Sequence, residues 1–489
     1  MESLWKKINM DGWNYNKDTD VYWQTGIAYC ENPADAKYEN LGIYVPGAYM
    51  SGTENGNGTY HCKINTTGSV GAYTAKTAPI AIPVETPGYS AMDAPTGYAG
   101  RTSAYTDAGF VCVYAGCRGR EAGAPSGVTD LKAAIRYIRY NGETIPGSTE
   151  RIFSFGMSGG GAQSALLGAT GDSDLYTPYL KAIGAVDGVS DAVAGSMCWC
   201  PITSLDYASE AYEWNLGSSR TGLTEEMQAL SDGMAEQFAL YINRLGLKDK
   251  NGNVLTLTAS DRGIYQAGSY YDYLKTVIET SLSNFLEDTA KTAQDYINTL
   301  NTETEWVKYD STANSVSITC IADFVSRFKT AFKGLGAFDA LDKTQLENIL
   351  FGDGDGTGDH FDAVMAELLA DSDYGTEYAE GLKRTDALGS SVSDRVNMYN
   401  PLYYLSDYYG GYKTANVAPY WRIRTGINQG DTALTTEVNL ALALQHYGVN
   451  VDFETVWGQP HVEAERVGSS TDNFIAWVNE VCGVNSDEG

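Results

Sequence analysis

Short apolar runs alternate with helical patterns along the first half of this chain. Residues 109–114 (Gly-Phe-Val-Cys-Val-Tyr) are continuously apolar, which is typical of a strand buried on both faces of a parallel sheet. Residues 128–141 follow, with Leu131, Ile135 and Ile138 at positions i, i+4 and i+7, and this spacing predicts an amphipathic helix lying on that sheet. A strand followed by such a helix predicts the right-handed crossover of an α/β fold.

The next apolar run ends at a glycine-rich motif. Residues 151–155 predict a strand, and residues 162–167 have the small, unbranched side chains of a helix start. Between them, residues 156–160 read Gly-Met-Ser-Gly-Gly, a Gly-x-Ser-x-Gly string. A sharp turn from strand to helix holds such a serine in strained backbone geometry and projects its Oγ above the sheet, which makes Ser158 a candidate nucleophile. The alternative is a glycine-rich loop with an incidental serine.

Strand, helix, strand and helix at this spacing predict a doubly wound, mostly parallel sheet with its active site beyond the carboxyl ends of the strands. Prolines within residues 78–85 argue against full pairing along that predicted strand. Residues 1–40 are polar and aromatic and are expected to wrap around the domain, and residues 51–71 to form a hairpin or long surface loop. Further apolar runs predict strands at 40–46, 78–85, 185–203, 420–425 and 451–457, and helices at 434–446 and 472–481.

The pattern becomes helical between residues 205 and 405, and no predicted strand alternates with these helices. We therefore expect an α/β core in two parts, residues 1–204 and 406–489, with a helical domain of residues 205–405 inserted after strand 6 of the sheet. The helices predicted within the insertion are 225–245, 270–300, 316–332, 344–350 and 361–369.

The charge balance restricts the partners of the chain. There are 33 basic and 62 acidic side chains, a net charge of −29, which repels nucleic acids and anionic membrane surfaces and suits a neutral or aromatic small molecule. No stretch approaches the length of a spanning helix, about 18 apolar residues. The first residues lack the apolar segment of a signal peptide, so the protein is expected either in the cytoplasm or secreted with a signal absent from this sequence.

Neither the cysteines nor the acidic loops predict a metal or a cofactor. The eight cysteines are scattered, and Cys198 and Cys200 have no further ligands close in sequence, so we expect reduced, structural thiols. Residues 353–359 begin like a calcium-binding loop, but Val364 stands at the twelfth position, where a bidentate glutamate is required. A flexible, solvated loop is the favoured interpretation there.

A serine nucleophile needs a histidine base, and the position of the four histidines selects one of them. His61 lies in the early polar loop, His360 in the insertion, and His446 at the end of a helix. His461 alone follows the last predicted strand, where the base of an α/β hydrolase stands in the chain order Ser, acid, His.

The acid that orients the imidazole is expected after the strand 420–425. Asp431 is the only carboxylate in that turn, although it also fits the N-cap of the following helix. Asp206 is the reserve candidate. For the oxyanion, one donor is expected from the backbone N–H of Gly159 and the second from Gly88 or Tyr89, because the preceding residue is a proline without an N–H.

Four segments together resemble the bacterial tannases of the tannase and feruloyl-esterase branch of the α/β hydrolases. They are the elbow 156–164, residues 44–49 (Tyr-Val-Pro-Gly-Ala-Tyr), residues 116–120 (Gly-Cys-Arg-Gly-Arg), and residues 421–424 with Asp431-Thr432. The resemblance implies an α/β-hydrolase fold, a helical insertion that acts as a lid, and hydrolysis of galloyl, protocatechuoyl or hydroxycinnamoyl esters.

The resemblance also implies which side chains bind the substrate. In the family, a lysine and a glutamate fourteen residues apart in the lid, with an aspartate after the late strand, bind the phenolic hydroxyls; Lys333, Glu347 and Asp431 match them. The alternative for Lys333 and Glu347 is a solvated helix face. The chain departs from the family at Gln429, which stands where the family has its acid. Asp431 or Asp206 must then replace that acid, or the enzyme works as a weaker dyad.

The sequence therefore predicts a serine carboxylesterase that forms an acyl-enzyme on phenolic-acid esters, without a cofactor and without nucleic-acid or membrane partners. A general acyl-ester hydrolase or peptidase of the same fold is one alternative. A catalytically silent protein that binds aromatic ligands is the other, because the acid is missing at Gln429.

Overall fold

The computed structural model describes residues 5–289, 292–313 and 315–484. Its strands are β1 (Asn14–Asn16), β2 (Val21–Ala28), β3 (Asn40–Pro46), β4 (Met50–Glu54), β5 (Tyr60–Ile64), β6 (Ser69–Val70), β7 (Tyr73–Thr74), β8 (Ile80–Val84), β9 (Val111–Ala115), β10 (Ile152–Met157), β11 (Gly195–Trp199), β12 (Thr258–Ser260), β13 (Gly263–Ala267), β14 (Val307–Asp310), β15 (Ser315–Ile318), β16 (Tyr420–Gly426) and β17 (Asn450–Val456). Its α-helices are α1 (Ser103–Asp107), α2 (Ser126–Tyr140), α3 (Gly159–Ala169), α4 (Thr177–Ala182), α5 (Ala208–Leu216), α6 (Glu225–Leu245), α7 (Ser269–Asp288), α8 (Ala293–Leu300), α9 (Ile321–Phe328), α10 (Leu346–Leu350), α11 (Ala363–Leu368), α12 (Gly375–Gly381), α13 (Val392–Met398), α14 (Pro401–Leu405), α15 (Leu434–Tyr447) and α16 (Ser470–Val481).

A nine-stranded sheet of order β1-β2-β3-β9-β8-β10-β11-β16-β17 forms the centre of the fold. Strands β8, β9, β10, β11, β16 and β17 run parallel to one another, and β1, β2 and β3 complete one side of the sheet in antiparallel pairings. The mostly parallel α/β sheet predicted from the apolar runs is confirmed. Its parallel strands all present their carboxyl ends at the same edge, which is where loops between strand and helix can meet.

The N-terminal segment departs from its prediction. Residues expected to wrap around the domain instead include β1 and β2, which extend the sheet beyond β3. The sequence does not predict strand β2, because its tyrosine, tryptophan and glutamine side chains lack the continuous apolar character of the central strands. With these two strands included, β11 is the seventh strand of the large sheet in chain order, not the sixth.

Strand β8 lies in the centre of the sheet despite its proline. It pairs with β10 from Ile80 to Val84, but its pairing with β9 ends at Ala81. Pro83 therefore lies beyond the end of the β9 ladder, where its missing N–H removes no hydrogen bond to that neighbour.

The segment between β11 and β16 is mostly helical, with α5 to α14 in it. Helix α6 spans the predicted residues, whereas the predicted helix 270–300 is two helices, α7 and α8. Two hairpins, β12-β13 and β14-β15, were missed, and β15 replaces the first turn of the predicted helix 316–332. These strands are three to five residues long and partly exposed, so the sequence shows no sustained alternation of apolar and polar residues that would predict them.

Side chains from the sheet and from the inserted segment form one connected hydrophobic core. Trp199 and Trp421 are almost fully buried on the sheet side, and Phe238 and Tyr270 in the insertion. The insertion is therefore packed against the sheet, so side chains from both can contribute to a single site. Among the described residues, none of the helices combines the length and apolar composition needed to cross a bilayer.

Candidate active site

The turn between β10 and α3 has the geometry of a nucleophile elbow. Ser158 adopts φ 60° and ψ −122°, a left-handed conformation that few residues other than glycine occupy. The turn is tight enough that a methyl group on Gly160 would lie 2.1 Å from the Val84 carbonyl oxygen. The neighbouring strands therefore require glycine here, and the strained turn presents the Ser158 hydroxyl at the edge of the sheet.

Ser158 and His461 meet although 303 residues separate them in the chain. The Ser158 Oγ lies 2.8 Å from Nε2 of the imidazole, a normal hydrogen bond. Ser158 follows the carboxyl end of β10, and His461 follows that of β17. An imidazole in this position can accept the hydroxyl proton as the oxygen attacks an electrophile.

The other three histidines lie elsewhere. His61 pairs with Asp11 on the surface, with 2.6 Å between Nδ1 and the carboxylate. His360 is buried within the insertion, where its Nδ1 lies 2.6 Å from Asp339. His446 is exposed near the end of α15.

Burial determines the protonation state of His461. Loss of contact with water lowers the pKa of the imidazole, and the positive charges of Lys333 and Lys329 lower it further, while the Asp431 carboxylate opposes them. A lowered pKa keeps the imidazole neutral, which is the form that accepts a proton.

Asp431 is the carboxylate that lies beside this histidine. Its Oδ2 is 3.7 Å from His461 Nδ1, which is longer than a hydrogen bond. Among the described residues, Nδ1 has no hydrogen-bond partner. Helix α15 begins at Leu434 after Ala433 without a side-chain cap, so the N-cap role considered for Asp431 is not adopted. Catalytic hydrogen bonds in ligand-free enzymes are often long and shorten when substrate binds.

Gln429 is turned away from the imidazole and into its own loop. Its side-chain oxygen accepts the backbone N–H groups of Asp431 and Thr432 at 2.8 and 3.0 Å. Its amide nitrogen donates to Thr432 and, at 3.2 Å, to the buried Glu437. The amide thus shapes the turn that carries Asp431.

Asp206, the reserve acid, lies in a separate network. It accepts a hydrogen bond from Tyr409, whose hydroxyl also lies 2.7 Å from that of Tyr241. Burial raises the pKa of Asp206 to about 6. The structure does not bring this carboxylate together with His461.

The loop after β8 places two backbone N–H groups beside the elbow. A methyl group on Gly159 would lie 2.5 Å from the nitrogen of Tyr89 and 3.0 Å from that of Gly88. The Tyr89 N–H already donates to Thr86 O at 2.9 Å, so Gly88 is the better of the two candidate donors. The Ser90 N–H binds Pro87 O at 3.1 Å and holds the peptide that carries the Gly88 N–H.

The inserted segment brings charged groups to the same site. Glu347 on α10 is 3% exposed, and its Oε2 has no hydrogen-bond partner among the described residues. Burial raises the pKa of its carboxyl; the positive charges of Lys333 and Arg120 oppose the rise, and the negative charge of Asp431 adds to it. Lys333, Arg120 and Asp431 therefore all lie within electrostatic reach of Glu347.

Lys333 lies in an irregular segment between α9 and α10, with its Nζ 4.1 Å from the centre of the Phe338 ring. Glu347 is buried, so neither residue belongs to the solvated helix face considered as the alternative. A cation and two carboxylates that lie close together can bind adjacent hydroxyl groups of an aromatic ring.

Sequence reasoning missed several polar residues around this site. Arg120 donates to Gly88 O at 2.8 Å and so holds the loop after β8. In the sequence, Arg120 is marked only as part of residues 116–120, one of the segments that resemble the tannases. Lys329 is fully buried and donates to Gln429 O. Burial lowers the pKa of Lys329 to about 8 and raises that of Glu437 to about 7. A buried lysine and glutamate leave no periodic signal, because only their tertiary surroundings distinguish them from surface charges.

Among the described residues, no group of three or more histidine, cysteine, aspartate or glutamate side chains is arranged to hold a metal ion. In the loop 353–359, Arg384 pairs with Asp353 and, at 2.6 Å, with Asp359. All eight cysteines are unpaired.

A family model described as BD-FAE, an esterase family, matches residues 72–206, which include Gly88 and Ser158. A comparison with curated protein sequences found no match.

Solved structures give a similarity over nearly the whole chain. The tannin acyl hydrolase from Lactobacillus plantarum is 30% identical, with a TM-score of 0.76 over 94% of each chain. A tannase from Fusobacterium nucleatum is 29% identical, with a TM-score of 0.76 over 94% of this chain and 95% of that one. A tannin acyl hydrolase in complex with 3,4-dihydroxybenzoate is 30% identical, with a TM-score of 0.75 over 94% of each chain. The similarity thus covers both parts of the sheet and the segment between them.

Proposed function

This chain belongs to the tannase family of α/β-hydrolase esterases, and from that premise we propose that it is a serine carboxylesterase that hydrolyses esters of phenolic acids. The main support for this proposal is the hydrogen bond of 2.8 Å between Ser158 and His461, which forms at a strained elbow. The family relationship supports a carboxylic ester hydrolase. The phenolic substrate and the roles of the individual residues are the further steps proposed here.

In the proposed reaction, Ser158 Oγ attacks the ester carbonyl carbon while His461 Nε2 takes the hydroxyl proton. The tetrahedral oxyanion accepts hydrogen bonds from the N–H groups of Gly159 and Gly88. The imidazolium then gives its proton to the departing alcohol, which leaves an acyl-enzyme on Ser158. Water then attacks the acyl carbon while His461 takes a proton from it, and the imidazolium returns that proton to Ser158 Oγ as the phenolic acid leaves.

The proposed acyl pocket is the space bordered by Lys333, Glu347 and Asp431, with the inserted segment as its lid. Ring hydroxyls can donate to the Glu347 and Asp431 carboxylates, and Lys333 can donate to a hydroxyl oxygen. The unpartnered Oε2 of buried Glu347 supports this arrangement, because a buried polar atom without a partner is costly unless a ligand satisfies it. The relative that binds 3,4-dihydroxybenzoate supports a ring with adjacent hydroxyls.

We expect a clear preference for phenolic esters, which depends on Lys333. The wild-type kcat/KM for methyl gallate should exceed that for methyl benzoate, and Lys333→Met should reduce this ratio by about tenfold to a hundredfold, since each lost charged hydrogen bond is worth roughly 1.5–3 kcal/mol. Steady-state kinetics with methyl gallate, methyl ferulate, methyl benzoate and p-nitrophenyl acetate measure the preference. Lys343→Met is the matched control, because Lys343 pairs with Glu377 on the same inserted segment.

Equal wild-type efficiency on all these esters would contradict the phenolic-acid proposal and favour a general acyl-ester hydrolase.

The pH dependence should reflect the environment of His461. Because burial lowers the pKa of this imidazole below its ordinary value of 6.5, kcat/KM should reach half its maximum below pH 6.5 and be lost as the pH falls through the folded-state pKa. Removal of the Lys333 charge in Lys333→Met should move this limb to higher pH. Rates on p-nitrophenyl acetate, which does not ionise in this range, measure the limb. A half-maximum at or above pH 6.5 in the wild type would show that the histidine is not in this environment.

A further inference from the structure

The two loops that carry the proposed substrate-binding residues Lys333 and Asp431 contact each other directly. Residues 329–334 of the inserted segment include Lys333, and residues 429–432 of the sheet domain include Asp431. The Phe332 ring lies against Gly430, so that a methyl group on Gly430 would come within 2.7 Å of it. Lys329 Nζ donates to Gln429 O from the first loop to the second.

The hydroxyl of Tyr212, on α5, is bound to both loops at once. It donates to Gly430 O at 3.0 Å and accepts the N–H groups of Phe332 and Lys333 at 3.2 and 3.3 Å. A phenol has one donor and two acceptor sites, so these three bonds use its whole capacity. Tyr212 itself is fully buried.

The first loop has a second set of contacts to the segment that follows α5. Arg220 donates to Lys333 O at 2.7 Å and to Gly334 O at 3.1 Å, and it pairs with the buried Glu213. Ser219 Oγ accepts the N–H of Ala331 at 2.8 Å. The loop that carries Lys333 is therefore held on α5 and the turn after it, and Tyr212, like Lys329, also reaches the loop of Asp431.

We propose that Tyr212 is a positioning residue that sets the separation between Lys333 and Asp431 and so determines recognition of a dihydroxylated ring. This inference rests on the proposed function of the site. The loop of Asp431 keeps its own support, because the Gln429 side chain binds the N–H groups of Asp431 and Thr432. Loss of the Tyr212 hydroxyl should therefore displace Lys333 relative to Asp431 and leave the relation of Asp431 to His461 in place.

The test is Tyr212→Phe, which removes one oxygen and keeps the ring. We expect KM for methyl protocatechuate to rise about tenfold, because three backbone groups lose their hydrogen-bond partner and the loops separate. We expect kcat for this ester to change by less than about threefold, and kcat/KM for methyl benzoate by less than about twofold. Tyr49→Phe is the matched control, since the Tyr49 hydroxyl is buried and donates to Gly109 O at 2.8 Å near the amino end of β9.

A double-mutant cycle separates positioning from general destabilisation. If Tyr212 acts through Lys333, then Tyr212→Phe should raise KM for methyl protocatechuate by less than about twofold in a Lys333→Met background. A KM increase that is the same in both backgrounds would overturn the inference. Ser219→Ala removes one hydrogen bond to the same loop and should raise KM for this ester about threefold. It provides a second variant if the melting temperature of Tyr212→Phe shows that this variant does not fold.

The outcomes distinguish this inference from the proposed function. A wild-type enzyme with no preference for methyl protocatechuate over methyl benzoate would overturn the proposed function and the inference together. A wild-type preference that survives unchanged in folded Tyr212→Phe would overturn the inference alone. A similar KM rise in Tyr49→Phe would also overturn it, because the effect would then be a general consequence of a lost buried hydroxyl.

Discussion

Ser158→Ala is expected to lower kcat on methyl gallate by at least about 10⁴-fold, because loss of the nucleophile of a serine esterase leaves only binding and oxyanion stabilisation. The hydroxyl is the only group at the elbow that can form the acyl-enzyme, and the alanine methyl group cannot replace it. Steady-state hydrolysis gives the rate, and mass spectrometry after treatment with a fluorophosphonate probe shows the site of modification. The wild type should gain one adduct on Ser158, and the variant none.

The matched control is Ser164→Ala, on the helix that follows the elbow. Ser164 is buried and its hydroxyl lies 2.9 Å from those of Ser154 and Ser196, so its loss removes a serine from the same helix without touching His461. This control should keep activity within about threefold. A wild-type protein that resists the probe and hydrolyses none of the esters would favour a silent aromatic-binding protein.

Asp431→Asn is expected to have the second largest effect, with kcat/KM for methyl gallate about 10³-fold to 10⁴-fold lower. Two losses combine: the imidazolium loses the carboxylate beside it, and the ring hydroxyls lose one acceptor. A carboxylate has two oxygens, so Asp431 can face His461 Nδ1 with Oδ2 and a substrate hydroxyl with the other oxygen. One residue would thus serve both tasks, since Gln429 is engaged with its own loop.

The two losses can be separated by the choice of ester. On p-nitrophenyl acetate, which has no ring hydroxyl on its acyl group, Asp431→Asn should reveal the part that concerns the histidine alone, about 10²-fold to 10³-fold. Asp206→Asn is the control, because that carboxylate is bound to Tyr409 and should leave the pH dependence of His461 unchanged. Full activity of Asp431→Asn on p-nitrophenyl acetate would exclude Asp431 as the acid and favour a dyad.

The negative charge of Asp431 also has a consequence for the pH dependence. This charge raises the pKa of His461 against the larger effect of burial. Asp431→Asn should therefore move the acidic limb of kcat/KM further down in pH, opposite to the shift expected for Lys333→Met. The charges of Asp431 and Lys333 thus act on the pKa of His461 in opposite directions. The wild-type pKa should therefore lie between those of Asp431→Asn and Lys333→Met.

The position of the elbow and the positions of the core strands along the chain could be predicted from the sequence because both rest on local patterns. An apolar strand, a Gly-x-Ser-x-Gly string and small helix-forming residues stand next to each other around Ser158, and each is visible within about ten residues. The choice of His461 needed one further rule, the chain order in this type of fold. Strand β2 and the hairpins of the insertion could not be found in this way, because their side chains do not alternate clearly between apolar and polar.

By itself, the sequence determined the α/β sheet, the serine at its strained turn and the one histidine that follows the last strand. Only the tertiary structure decided which carboxylate stands beside that histidine, which loop nitrogen faces the elbow, and that Tyr212 joins the loops of Lys333 and Asp431. The reason is physical, because strands and turns arise from residues that are neighbours in the sequence. The burial and hydrogen bonding of Glu347, Gln429 and Tyr212 depend instead on distant residues; Tyr212 and Gly430, for example, are 218 positions apart.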